Sequence, residues 1–436
     1  MSKVLFLENR QKTRLYEEVA KRLSAKHHIY WLVQNRDFAP KTKNTFIIPY
    51  PNRQQHKQIK PIQLDHIVAS DRQQNFFGKK QKGYFYYYYE QIDKYLDQLK
   101  PDVVFGEATA FHELITIELC KKKNILYLNP STCRYPSGRF SFYKYDTLDP
   151  FLGSKEEYTE AELSKIIKQI NNNDFQPDYM KVKKKGVLDR IKNKVWIFWA
   201  YVQGERYNTP PPFTKFVLEQ KRKKNKRKWN AISSHLEIQK QSVLYPLQMQ
   251  PEANIDVWGR PYRNQLETIK TIYAALPANA TLYIKPNPKL KYEVTGEMID
   301  FIKHTPRVFA IPTTTGMNQI INYISVVVTV TGTIAMEQIF SEKPVITLIK
   351  TLNNTVSNCA FAKDQEELKK ALNTFFNTDN LTPTSGEKMK YISEVIKKSY
   401  SGLISDPYSD KNCIQRNNID KLEAAFVEVI EKTGKE

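Results

Sequence analysis

Glycine is scarce in this 436-residue chain: there are 14, about 3% where ~7% is usual, and no two stand in a G-x-G arrangement. That excludes the Walker A loop and the dinucleotide fingerprint, both of which need closely spaced glycines to bring backbone up to phosphate. The four cysteines, Cys120, Cys133, Cys359 and Cys413, form no C-x-x-C pair, and the seven histidines contain no H-x-x-x-H. Neither a disulfide framework nor a zinc site is suggested, and a reducing compartment is expected. No D-x-D is present. The longest apolar run, Val195 to Val202, has eight residues where a membrane span needs ~20. The opening residues Met1 to Arg10 lack the apolar stretch of a secretory signal. These features predict a cytoplasmic protein, soluble or peripheral at the inner face of the cytoplasmic membrane.

Apolar residues are abundant, at 41% of the chain with 26 Tyr and 22 Phe, so the material for a core is ample. At this length two domains are the default. The formal net charge of +21 predicts phosphate-bearing partners, among which composition alone does not choose: nucleotides, nucleic acid or anionic lipid.

Short apolar runs alternate with helical patterns from the start. Val4–Leu7 precedes a pattern with Leu15, Val19 and Leu23 at spacing four, then Ile29–Val33. Helix 84–99, strand 102–105, helix 110–120 and strand 125–128 continue the rhythm, which predicts an α/β domain with a parallel sheet. The alternation restarts at Asn254, with strands expected at 255–258, 281–284, 308–311, 326–330 and 345–348 and helices between them. The expected boundaries are an N-terminal domain over 1–180, a basic linker or helical insertion over 181–240, a second domain over 241–380 and C-terminal helices over 381–436.

Residues 181–228 hold 16 Lys or Arg against three acids. Val187, Ile191, Val195, Trp196, Trp199 and Val202 recur there at helical spacing, which suggests either a basic helix with an aromatic face for anionic headgroups or a solvated linker helix packed on its neighbour.

In parallel open sheets, ligands bind beyond the carboxyl ends of the strands. Glu107 falls there, after strand 102–105, either as a nucleophile or general base or as a carboxylate complementing a helix dipole. The turn-rich loop after strand 125–128 carries Arg134 and Arg139, whose forks suit carboxylate or phosphate. In the second domain Lys285-Pro286-Asn287-Pro288 follows one strand, and Thr331-Gly332-Thr333 leads from another into a helix bearing Glu337. Lys285, Asn287, Thr331, Gly332 and Thr333 are placed to meet a phosphate and Glu337 a ribose hydroxyl pair.

Tyr245-Pro246-Leu247-Gln248-Met249-Gln250-Pro251-Glu252-Ala253, followed by Tyr262-Arg263-Asn264-Gln265, by Leu282-Tyr283-Ile284-Lys285-Pro286-Asn287-Pro288 and by Val330-Thr331-Gly332-Thr333-Ile334-Ala335-Met336-Glu337, resembles the capsule polysaccharide biosynthesis glycosyltransferases, which include transferases of Kdo and of nonulosonic acids. The likeness covers roughly residues 243–348, and the loop from Arg134 to Phe140 resembles their N-terminal domain more loosely. It implies a GT-B architecture, with two Rossmann-like domains whose parallel sheets face a central cleft and C-terminal helices that pack back. It also implies a CMP-activated 2-keto sugar as donor, no metal, no cofactor beyond that donor, and a glycan or lipid-linked glycan acceptor. Gln250 falls in the matching stretch as a substrate-binding residue. Relatives commonly carry His-Pro where this chain has Asn287-Pro288, so no charged acid is implied at that position.

The expected function is therefore transfer of an acidic 2-keto sugar, a nonulosonic acid such as pseudaminic or sialic acid, or Kdo, from a CMP donor to a capsule or surface glycan. An oxocarbenium-like transition state calls for a carboxylate, Glu107 or its rival Glu252, and for cations on the departing phosphate. A CDP-polyol phosphotransferase of the teichoic-acid type is the alternative. Binding to nucleic acid is not expected, because the charge is concentrated in one segment and no known module is visible.

Overall fold

The computed structural model describes the whole chain except residues 53, 56–59, 79–81, 172–186, 204, 209, 234–236, 379–380 and 434–436. Two compact α/β units emerge. One comprises Met1–Glu157, Gln176–Pro212 and Glu394–Glu436, and the other Tyr158–Phe175 and Phe213–Ser393. The α/β expectation holds in both, while the expected basic insertion is divided: 176–212 belongs to the first unit and the segment from 213 to the second.

The first unit is built on a seven-stranded sheet. Its strands are β1 (Lys3–Leu7), β2 (His28–Val33), β3 (Thr45–Ile47), β4 (Val103–Phe105), β5 (Leu126–Thr132) and β6 (Arg139–Lys144), with β13 (Tyr400–Ser401) from the far end of the chain. Their spatial order is β13-β6-β5-β4-β1-β2-β3. Five strands run parallel, whereas β6 returns antiparallel on β5 and β13 lies antiparallel on β6, so one edge of this sheet departs from the all-parallel expectation. The crossover helices are α1 (Thr13–Leu23), α2 (Gly83–Leu99) and α3 (Phe111–Lys122). Phe6 on β1 stacks on Trp31 and on Phe105 with ring centroids 5.2 and 5.4 Å apart, and the C-terminal helix Arg416–Thr433 lays Phe426 over the same cluster, 4.7 Å from Phe105. The last helix thus completes the core begun by the first strand.

The second unit has a wholly parallel six-stranded sheet of β7 (Ser242–Pro246), β8 (Thr281–Lys285), β9 (Val308–Ala310), β10 (Val326–Thr329), β11 (Val345–Thr347) and β12 (Cys359–Phe361). The order is β12-β11-β10-β7-β8-β9. Its opening strand is Ser242–Pro246, and the expected strand 255–258 is instead a helical turn, Asn254–Trp258. The N–H groups of Ile255 and Asp256 are drawn back to the carbonyl of Glu252, and that of Gly259 to Asn254, so the turn satisfies its backbone locally and pairs with no sheet.

The basic stretch from Lys221 to Lys228 lies on α6 (Pro212–Ile232), numbered after α4 (Glu160–Asn171) and α5 (Val187–Gln203). Helix α6 is docked through buried Asn225 and Trp229, which donate to the carbonyls of Val294 and Ile311 at 2.8 Å each, while its lysines face solvent. Lys181, Lys183, Lys184 and Lys185 lie outside the described residues. No described helix is long and apolar enough to cross a membrane.

Candidate functional site

An open α/β sheet presents a crevice where its strand order reverses, because the loops on either side of that point leave toward opposite faces. In the second unit the chain runs β7, β8, β9 outward and then crosses to β10, so the reversal lies between β7 and β10. Four loops matter there: Leu247–Ala253 after β7, Pro286–Pro288 after β8, Val330–Thr333 after β10, and the helical turn at Asn254. Thr331 Oγ1 donates to the carbonyl of Asn254 at 3.0 Å, joining two of them.

Lys285 ends β8 opposite Pro246 of β7. It is 2% exposed, and among the described residues its ammonium donates only to the adjacent Pro286 carbonyl, at 3.4 Å. An ammonium carries three donors, and burial without a counter-ion is costly; removal from water pushes its pKa below the ordinary lysine value. Two more polar groups near the reversal are unsatisfied. Gln248 Nε2 and Thr329 Oγ1 are buried without a hydrogen-bond partner among the described residues. Both face Gly332: a Cβ at that position would stand 3.2 Å from Thr329 Oγ1 and 3.7 Å from Gln248 Nε2. A donor set of buried amide, hydroxyl and ammonium, each short of partners, suits a polyanionic or polyhydroxylated ligand.

Gln250, expected to bind substrate, is engaged internally. Its Nε2 donates to Asp256 Oδ1 at 2.8 Å and to the Arg263 carbonyl at 2.9 Å, and its Oε1 accepts from Gln265 Nε2 at 2.8 Å. Gln265 also exchanges bonds with both the N–H and the carbonyl of Gln248, at 2.8 Å each. Gln250 therefore shapes the loop, and Gln248 two residues earlier offers the free amide. Glu293 extends the network by accepting from the N–H groups of Gln250 and Lys291, at 3.3 and 3.0 Å; its Oε1 is buried without a partner among the described residues, and burial raises its carboxyl pKa to about 7.

Asn287 caps its own turn, with Oδ1 accepting from Lys289 N at 2.9 Å. Glu252 donates its N–H to Asp256 Oδ2 at 2.9 Å and is half-buried, while Thr333 and Glu337 sit half-buried at the start of the short helix Ile334–Phe340.

In the first unit the strand order reverses between β1 and β4. Glu107 lies on the loop directly beyond β4. Its carboxylate is ion-paired with Lys12, and Tyr16 of α1 donates to Oε1 at 3.3 Å. Gly106 before it packs so closely on Leu7 and the Tyr127 hydroxyl that a side chain would collide, which fixes glycine there. Arg134 is half-exposed on the turn between β5 and β6. Arg139 is not a ligand arginine. Its guanidinium is buried among Glu156 Oε2 at 2.7 Å, Ser154 Oγ at 3.1 Å, Ser399 Oγ at 2.8 Å and the carbonyls of Ile396 and Ser399 at 3.1 and 2.9 Å. Every nitrogen is occupied in tethering the C-terminal segment.

Sequence reasoning missed Gln248, Thr329, Gln265 and Glu293 as members of this neighbourhood. For Gln248 and Thr329 the available signal was a polar residue at or just past a strand end. For Gln265 and Glu293 there was none, because the groups of Gln248 and Gln250 that draw them into the network are 15 to 43 residues away.

The class so defined is a two-unit α/β protein with Rossmann-like sheets, each carrying polar residues at its strand-order reversal. No protein-family profile matches the chain, and no curated protein matches it. Among solved structures, UDP-GlcNAc 2-epimerase from Methanocaldococcus jannaschii is similar at 13% identity, covering 91% of this chain and 99% of that one, with a TM-score of 0.29. KpsC of Thermosulfurimonas dismutans, a beta Kdo 2,7 transferase, is similar at 10% identity over 91% and 99%, with a TM-score of 0.34. MurG of Acinetobacter baumannii is similar at 11% identity over 99% and 100%, with a TM-score of 0.27.

Proposed function

We propose that the protein is a glycosyltransferase that moves an acidic 2-keto sugar from a CMP-activated donor to a glycan or lipid-linked glycan acceptor. The observation that carries this reading is Lys285, a buried ammonium at a strand's carboxyl end with a single long hydrogen bond among the described residues. A phosphate would supply the acceptors that it lacks and neutralise its charge. Gln248 and Thr329 would then meet the nucleotide or sugar beside Gly332.

In this reading the donor belongs to the second unit and the acceptor to the first. As the glycosidic bond to phosphate breaks, negative charge grows on the departing CMP and positive charge on the anomeric carbon. Lys285 stabilises the first, and a carboxylate stabilises the second or takes the proton of the incoming hydroxyl. Glu107 is assigned that role, held in place by Lys12 and Tyr16, with Glu252 as the rival.

The test is a donor screen. Purified protein is incubated with CMP-Kdo, CMP-sialic acid, CMP-pseudaminic acid, CDP-glycerol and UDP-GlcNAc, and nucleotide release is followed. Release of CMP from one of the CMP-sugars supports the reading. Turnover of CDP-glycerol alone transfers the site to polyol phosphate chemistry, and turnover of UDP-GlcNAc alone overturns the choice of donor.

A further inference from the structure

Helix α5 (Val187–Gln203) carries an apolar stripe that no described residue of the first unit covers. Leu188, Ile191, Val195, Phe198, Trp199 and Val202 are exposed by 74, 53, 64, 56, 54 and 45%. At 100° per residue all six fall within an arc of about 100°, the width of an amphipathic face. Trp196, which the sequence pattern groups with them, turns away: its ring meets Phe38 edge-on at a centroid distance of 4.9 Å and ties the helix to the unit. The helix is thus anchored along one side and bare along the other.

The charges around the stripe identify what it faces. Lys192 and Lys194 are exposed and flank it on either side. Residues 181–194 contain seven lysines and arginines against one aspartate, and residues 195–203 contain no charge at all. A cationic entry followed by an uncharged aromatic and aliphatic face matches a surface with anionic headgroups over hydrocarbon. A second copy of this chain fits poorly, because two molecules of net charge +21 repel, and the stripe offers no anions to compensate.

We infer that α5 lies in the interface of an anionic bilayer, with Leu188, Ile191, Val195, Phe198, Trp199 and Val202 inserted at the level of the acyl chains and the lysines on headgroup phosphates. The attachment differs from the one that the charge run Lys221–Lys228 suggests. That run sits toward the end of a helix docked through Trp229 and Ile232; the helix's own exposed apolar residues, Phe213, Phe216 and Val217, lie at its opposite end, so from Lys221 to Lys228 itself only polar and charged side chains face outward. The stripe supplies the apolar part, which salt does not screen.

The experiment uses the full chain and sedimentation with vesicles of phosphatidylglycerol and phosphatidylcholine, or of phosphatidylcholine alone. The chain is expected to pellet with the anionic vesicles and to remain partly bound at high salt. The triple variant Val195→Ser, Phe198→Ser, Trp199→Ser is expected to bind ~10-fold more weakly or worse, with its melting temperature unchanged because the three side chains are exposed. Acyl chains carrying bromine should quench tryptophan emission in the wild type and do so measurably less in Trp199→Phe. Undiminished vesicle binding by the triple variant, or wild-type binding without quenching, would overturn insertion. So would a wild-type dimer in sedimentation velocity that the triple variant dissolves, since the stripe would then join two copies. CMP titration separates this inference from the proposed reaction: the triple variant should bind CMP as the wild type does, and a chain that binds no CMP at all could still pellet with vesicles.

Discussion

Arg139 reaches Ser399, 260 residues away in sequence, through two hydrogen bonds: Nε donates to its hydroxyl at 2.8 Å and Nη2 to its carbonyl at 2.9 Å. The pair joins the first residue of β6 to the segment leading into β13, and so brings the last 40 or so residues of the chain into the unit that the first residues begin.

Replacing Arg139 by Met should therefore damage folding rather than ligand binding. It leaves the buried carbonyls of Ile396 and Ser399 without their donor, at about 1–3 kcal/mol for each group left unsatisfied, while Glu156, whose side chain is 39% exposed, is taken up by water. Equilibrium urea unfolding should show that loss, while CMP affinity of the folded fraction stays at the wild-type value. A stable variant with weakened substrate binding would return Arg139 to a ligand role.

Lys285→Met should do the reverse. Burial lowers the pKa of Lys285, so between that lowered value and the ordinary lysine value the unfolded chain binds more protons than the folded one, and stability rises with pH across the interval. Below it the penalty is fully present. Removing the ammonium should leave the melting temperature at pH 7 unchanged or higher, yet weaken CMP binding by about 1–3 kcal/mol. Calorimetric titration and thermal melting on one sample would check both halves. Lower stability with intact CMP binding would make Lys285 a structural residue.

Glu293 sets a second pH dependence, of opposite sign. Its folded pKa of about 7 lies above its ordinary value, so the folded chain binds the extra proton. Its contribution is full below the ordinary carboxyl range and is lost as pH rises through about 7, by roughly 3 kcal/mol at most. Glu293→Gln keeps an acceptor for the Gln250 and Lys291 N–H groups and removes the titration. Its unfolding free energy should fall less than that of the wild type between pH 5 and about 8. Parallel pH profiles for the two proteins would place the titrating group elsewhere.

Glu107→Gln preserves the acceptor for Tyr16 and removes the ion pair with Lys12. Sugar transfer is expected to fall by about 10²-fold or more, the scale of a lost acid–base group, with the melting temperature little changed. Wild-type turnover in a well-folded variant would pass the catalytic role to Glu252.

What the sequence by itself determined is local. Alternating apolar runs and helical spacings placed most strands and helices of both sheets, because the 2.0 and 3.6 residue periods are written in neighbouring side chains. They also placed Glu107 and Thr331–Thr333 beyond strand ends and Lys285 at one. Only the tertiary structure decided which of two apolar runs opens the second sheet, Ser242–Pro246 rather than 255–258, since strand pairing depends on partners far along the chain. It sorted Arg139 and Gln250 into the scaffold and left Lys285 and Gln248 short of partners, and it turned Trp196 inward and Trp199 outward. Residue type fixes what a side chain is able to bond. The groups that chain closure brings within 3 Å fix whether that capacity is already taken.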